Sequence, residues 1–207
     1  TSSNQQICRV DREASTESYS PDLKVLGSDI SKKVKLADAV IVSDYGKGFV
    51  TNQLLGIVSE NARFLSIDPK PSRLLQYANP DLLTPNRFEA LELAGLSRES
   101  CDPFPQEDVV GKIFEKFGPK MLAVTLGADG MLLATDGKID KIIPTFAKEV
   151  FDVSGAGDTV IAALTLGLIG EQNFAEAAEF ANLAAGVVVG KVGTATVSPE
   201  EILGLVN

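Results

Sequence analysis

Short apolar runs alternate with amphipathic segments along most of this chain, and that alternation leaves few folds open. Ala39–Ser43 (AVIVS), Arg63–Asp68 (RFLSID), Asp81–Thr84 (DLLT) and Met121–Leu126 (MLAVTL) read as buried strands. Thr51–Ala62, Asn86–Ala94 and Gln106–Phe117 carry helical spacing between them. Strands apolar on both faces and separated by helices predict a parallel sheet covered on both sides. From Gly130 to Pro144 the pattern becomes GMLLATDGKIDKIIP, which predicts a hairpin turning at Asp136-Gly137. The last third reads as helical. Val160–Ile169 is nearly all apolar, and Phe174, Ala177, Ala178, Ala181, Ala185 and Val188 form one stripe. Ser198-Pro199-Glu200-Glu201 is a capping box with proline at the first helical position, opening a final short helix. The beginning differs: NQQICRVDRE suits a strand, and STESYSPDLK reads as a polar loop. The expectation is an α/β chain that starts in the middle of a domain.

Composition narrows the chemistry. The 207 residues, 44% hydrophobic and 23% charged, suit a soluble globular domain. A net charge of -9 argues against nucleic acid as partner, because phosphate backbones need clustered Lys and Arg. The chain has no histidine, which removes Ser-His-Asp and Cys-His catalysis and the usual zinc sites. Cys8 and Cys101 are far apart and fit a reducing compartment. No apolar signal core or run near ~18 apolar residues occurs, so the expected location is the cytoplasm, away from membranes.

The segment FDVSGAGDTV carries the strongest chemical signal. Gly155, Ala156 and Gly157 lack bulky side chains and stand where a helix begins, so a phosphate could approach the free N–H groups of its first turn. Asp158 would then be placed to take a proton from an attacking hydroxyl. The plainer reading is a tight turn with a carboxylate complementing the helix dipole. In TPNRFEAL, Asn86-x-x-Glu89 reads equally as a helix cap with a reciprocal Glu. VTLGADGMLL needs only to be strand, glycine turn, strand. Asn182 sits in the helical stripe as a polar residue at its rim. Lys47 in DYGKG and Lys70 in IDPK each follow a buried strand; they are either solvated or face an anionic ligand at the sheet's carboxyl edge. GKVGT at 190–194 fails as a P-loop: Gly186 and Gly190 are separated by three residues instead of four, and Val192 replaces Ser or Thr.

Taken together, DVSGAGDTVIAAL and, roughly 70 residues ahead of it, the N-x-x-E motif resemble the signatures of the pfkB/ribokinase family of carbohydrate kinases. The resemblance implies a ribokinase-like three-layer α/β/α fold with a mostly parallel central sheet. It implies that Gly155, Ala156 and Gly157 form the anion hole and that Asp158 is the catalytic base. Asp152 and Ser154 match positions near a monovalent cation, K+ by expectation. Asn86 and Glu89 match the motif that arranges Mg2+ and the nucleotide phosphates, Glu89 through water. Thr125, Gly127 and Asn182 match the edge of the ATP site, with Lys70 beside the phosphates. Asp44 and Lys47 are expected on the sugar.

NQQICRVDRE, SDYGKG, IDPK, LLTPNRFE and AAGVVVGKVGTATVSP are most similar to the heptose 7-phosphate kinase branch of that family. The implied reaction moves the γ-phosphoryl group of ATP to the anomeric hydroxyl of D-glycero-β-D-manno-heptose 7-phosphate, a step toward ADP-heptose for lipopolysaccharide. Residues 1–13 are expected to be the end of a lid strand and 14–207 the nucleotide-binding and catalytic core. The family's first strand-helix units, most of its lid and an adenylyltransferase domain have no counterpart in this sequence. The expected partners are a small sugar phosphate and ATP, with a homodimer as an assembly to test. Another pfkB-type acceptor (hexose phosphate, pentose or nucleoside) or a non-catalytic nucleotide-binding module stays open on sequence alone.

Overall fold

A computed structural model describes residues 15–71, 75–77, 79–146 and 153–206. Among these residues, six strands form one sheet in which spatial order follows chain order: β1 (Val40–Ser43), β2 (Leu65–Asp68), β3 (Leu82–Leu83), β4 (Met121–Thr125), β5 (Met131–Thr135) and β6 (Lys138–Ile143). β1 to β4 run parallel, whereas β5 runs antiparallel to both of its neighbours, β4 and β6. The β5–β6 turn is Asp136-Gly137, both at positive φ (51° and 75°), the geometry that an Asp-Gly hairpin turn requires.

Side-chain alternation along the strands separates two apolar layers. Val42, Ile67, Leu83, Leu122, Val124 and Leu132 face one core, with α1 (Leu23–Leu36), α2 (Asn52–Asn61), α3 (Arg87–Leu93) and α4 (Gln106–Phe117) packed over it. Leu82, Ala123, Met131 and Leu133 face the other, under α5 (Ala156–Ile169) and α6 (Phe174–Val189); Ile202 of α7 (Pro199–Val206) packs at its margin. The result is the three-layer α/β/α arrangement that the alternation predicts. Among the described residues no helix is long and apolar enough to cross a membrane.

Two sequence expectations change. The polar loop read over 15–24 gives way to a 3-10 turn at Thr16–Tyr19 followed by α1. Asp22 caps α1 by accepting the Lys24 N–H at 3.0 Å, and Leu23, Ile30 and Val34 form its inward stripe. The lid strand expected within residues 1–13, together with Cys8, lies outside the described residues.

Candidate active site

The carboxyl ends of the parallel strands gather on one edge of the sheet, where α/β folds bind ligands. Asp44 follows β1, Asp68 ends β2, Lys70 comes two residues later, Asn86 precedes α3, and Thr125 ends β4. α5 lies on the sheet against β1 and β2, so its first turn brings Asp158 to the same edge. Gly155 is the α5 N-cap at φ 81°, ψ 0°, a left-handed conformation that favours glycine. The N–H groups of Gly157 and Asp158 fall in the first turn, where no helical carbonyl precedes them. The Ala156 N–H is instead turned back to the Val153 carbonyl at 3.2 Å. A β-carbon on Gly157 would meet open space within 4 Å.

That open space belongs to a cleft of about 450 Å³. Its walls include Thr125, Gly127, Ala156, Gly157 and Asn182, so five of the sequence-predicted residues share one cavity. Gly130 closes one side: at φ 92° its β-carbon would lie 1.9 Å from the Ile143 carbonyl oxygen, so no other residue fits without backbone movement. Arg87 braces the adjacent turn, donating to the Leu126 carbonyl at 3.2 Å and pairing with Asp129. Asn182 spans the cleft's rim, with Nδ2 donating to the Pro144 carbonyl at 2.7 Å and Oδ1 accepting the Phe146 N–H at 3.4 Å. It fastens the 144–146 segment to α6.

The N-x-x-E motif forms the capping box read from the sequence. Asn86 Oδ1 accepts the Phe88 and Glu89 N–H groups at 3.0 Å each, and Glu89 Oε2 accepts the Asn86 N–H at 3.0 Å. The other oxygen of Glu89, Oε1, accepts from Lys70 Nζ at 2.9 Å. Lys70 therefore reaches α3 across the carboxyl edge. Between these groups the carboxyl of Asp68 is pushed up to about 7, chiefly by burial and then by the charges of Glu89 and Asp158, with Lys70 opposing.

Asp44 is buried, 5% exposed, and both its oxygens are engaged: Oδ1 accepts the Gly46 N–H at 2.8 Å, and Oδ2 accepts the Tyr77 hydroxyl at 2.7 Å. Tyr77 itself is 1% exposed, and burial followed by the Asp44 bond raises its phenol well above the ordinary value. Asp44 thus anchors the DYGKG loop, while Lys47 is exposed on it. Ser154 is exposed in the turn before α5; Asp152 lies outside the described residues.

Two neighbours of Asp158 were not singled out from sequence. Tyr45 donates its hydroxyl to Asp158 at 2.7 Å (Oδ1) and 2.8 Å (Oδ2), and Ser43 donates to Oδ1 at 3.2 Å. Strand alternation carried the signal for Ser43: with Val42 in the α1–α4 core, Ser43 must face the α5 side. Nothing in the local pattern points Tyr45 at a residue 113 positions away.

Known proteins resemble this chain in sequence and in fold. Two bacterial proteins named Bifunctional protein HldE align over nearly the whole chain. The one from Sulfurimonas denitrificans is 40% identical over 203 residues, 96% of this chain and 42% of its own length. The one from Geobacter sulfurreducens is 41% identical over 206 residues, 98% of this chain and 42% of its own length. The chain thus spans less than half the length of these relatives. Among solved structures, ribokinase from Thermotoga maritima superposes with a TM-score of 0.71 at 25% identity, over 85% of this chain and 59% of that one. The pfkB family carbohydrate kinase profile matches residues 1–201, and the chain belongs to that family.

Proposed function

We propose that this chain provides the nucleotide-binding and phosphoryl-transfer core of an ATP-dependent sugar-phosphate kinase, with D-glycero-β-D-manno-heptose 7-phosphate as acceptor. The observation that carries the reading is the position of Asp158. It stands in the first turn of α5 directly after Ala156 and Gly157, which line the cleft with Thr125, Gly127 and Asn182, while Asp158 and Gly155 open onto an adjoining cavity of about 900 Å³. In this reading the cleft takes the adenosine of ATP, and the first-turn N–H groups of α5 face the γ-phosphoryl group as its charge develops. Asp158 accepts the proton of the anomeric hydroxyl as its oxygen bonds to phosphorus and the bond to ADP breaks. The heptose assignment rests on SDYGKG, IDPK and GKVGTATVSP, and the HldE relatives support it.

The residues present fit magnesium held mainly by phosphates and water. No three acidic, Cys or His side chains among the described residues converge on one cation position. Asp68, Glu89 and Asp158 nevertheless lie close enough to raise the Asp68 carboxyl, an environment that a cation would relieve. Glu89 would hold the ion through water. When bound, the ion neutralises charge on the β- and γ-phosphates. Lys70 would divide its charge between Glu89 and the phosphates, and Lys47 would face the acceptor's phosphate. Asp44, with both oxygens engaged, would serve the acceptor by fixing the loop that carries Lys47. Ser154 and Asp152 would bound the K+ position beside the anion hole.

The test is ADP release by the full-length gene product with ATP and Mg2+, with and without K+. Acceptors are heptose 7-phosphate, fructose 6-phosphate and ribose. Release only with heptose 7-phosphate is the expected result. Release with another acceptor alone would overturn the heptose assignment, and nucleotide binding with no transfer to any acceptor would overturn the kinase reading.

A further inference from the structure

We infer that Tyr45 is a latch on the base: in the free protein its hydroxyl occupies the place on Asp158 that the acceptor hydroxyl needs, and only a bound acceptor displaces it. The inference rests on the kinase reading of Asp158. It goes beyond that reading by naming the group that keeps the base from activating water.

The geometry is specific. A hydroxyl between the two oxygens of a carboxylate, at 2.7 and 2.8 Å, sits where one incoming proton donor would make its best contact. Tyr45 holds that position, while Ser43 approaches Oδ1 alone. The phenol is kept as a donor, because the bond to Asp158 raises its ionisation above the ordinary value. Water at that position would be the nucleophile of a futile reaction: its oxygen would bond to the γ-phosphorus, its proton would pass to Asp158, and ADP and inorganic phosphate would leave. A phenol in its place keeps its proton, and a protonated phenol is a poor nucleophile.

The mounting of Tyr45 suits release. The residue is 60% exposed, so no packed core has to open when the ring swings away. Its backbone does not need to follow. Asp44 on one side is buried and tied to Gly46 N and Tyr77, and Gly48 beyond lies so close to the Thr16 carbonyl that a β-carbon would stand 2.1 Å from its oxygen. A fixed hinge with a free side chain allows displacement by side-chain rotation alone. The acceptor then replaces one charge-assisted hydrogen bond with another. This makes binding weaker than it would be without the phenol, by roughly tenfold.

Three measurements on the full-length protein separate the possible failures. Asp158→Asn tests the underlying reading: if acceptor-dependent ADP release survives in it, Asp158 is not the base and the latch has no object. Ultraviolet titration of the tyrosinate tests the contact. The ionisation missing from Tyr45→Phe should lie above the ordinary range in the wild type and move down in Asp158→Asn; an ionisation at the ordinary position in the wild type would overturn the contact. Tyr45→Phe kinetics test the latch itself. Acceptor-independent ATP hydrolysis should rise severalfold, acceptor KM should fall about tenfold, and kcat should hold. A fall in kcat at unchanged KM, or hydrolysis and KM both at wild-type values, would overturn the latch while leaving the role of Asp158 intact.

Discussion

Ser66 Oγ on β2 and Thr165 Oγ1 on α5 lie 2.6 Å apart in the buried layer between sheet and helix. This bond links the sheet to the helix that carries Asp158, two turns closer to its N-terminus. Thr165→Val keeps the shape but leaves the Ser66 hydroxyl buried without its partner, so unfolding free energy should drop by about 1–3 kcal/mol. Adding Ser66→Ala should restore part of that loss, because no polar group is then stranded. Denaturant unfolding of the two single variants and the double variant checks it; strictly additive losses would show that the pair is not coupled.

Asp158→Asn should leave nucleotide affinity within about twofold and lower kcat by about 10²–10⁴, the usual range for a lost general base. Calorimetric titration with ATP and a single-turnover assay separate the two effects. A loss confined to KM would assign Asp158 to binding.

Asp68 makes stability depend on pH in a defined direction. Its carboxyl titrates at about 7 in the folded chain, against 3.8 for the ordinary group. The folded state therefore holds this proton more tightly than the unfolded state, and the stability it contributes is fully present below the ordinary value. That stability is lost as pH rises through the interval between the two. Asp68→Asn removes the dependence. Relative to wild type, the variant should gain stability as pH rises from about 4 to about 7, with a slope of at most about 1.4 kcal/mol per unit. Denaturant unfolding at both ends of that interval measures it. A constant difference would mean that Asp68 titrates normally.

Gly157→Val places two methyl groups in the space a phosphate would use. The position is in the first turn of α5 and meets no atom within 4 Å, so thermal stability should change by no more than about 0.5 kcal/mol. ATP affinity should fall at least tenfold, or about 1.4 kcal/mol, in a calorimetric titration. Unchanged affinity would move the phosphates away from α5.

Much of this architecture was legible in the sequence because burial on both faces leaves a strand no polar alternative. AVIVS, RFLSID and MLAVTL contain strands with boundaries within two residues of those read. The capping boxes at Asn86 and Ser198 and the Asp136-Gly137 turn were legible for the same kind of local reason. Helix α1 was hidden by its composition. Four lysines and one aspartate between Leu23 and Leu36 mask a stripe that Leu23, Ile30 and Val34 carry inward. The site divides likewise. Residues near turns and helix starts could be nominated, whereas the contacts of Tyr45 and Ser43 with Asp158, and of Lys70 with Glu89, are long-range pairings. Asp44 shows the remaining gap. Its place after a buried strand suggested a ligand, and only the fold reveals that Tyr77 already claims one of its oxygens.

The order of strands has a consequence for how the site comes into being. Each strand from β2 to β6 pairs with the one made just before it, so the sheet can grow outward as an accretion, strand upon strand, in the direction of synthesis. α5 breaks that rule. It returns from beyond the last strand to lie over β1 and β2, and Ser43 meets Asp158 across 115 positions of sequence. Closing so long a loop comes late in folding, after the local pairings have formed. A half-made chain can therefore own most of its sheet and yet no assembled candidate site, which forms only when α5 docks back onto β1 and β2.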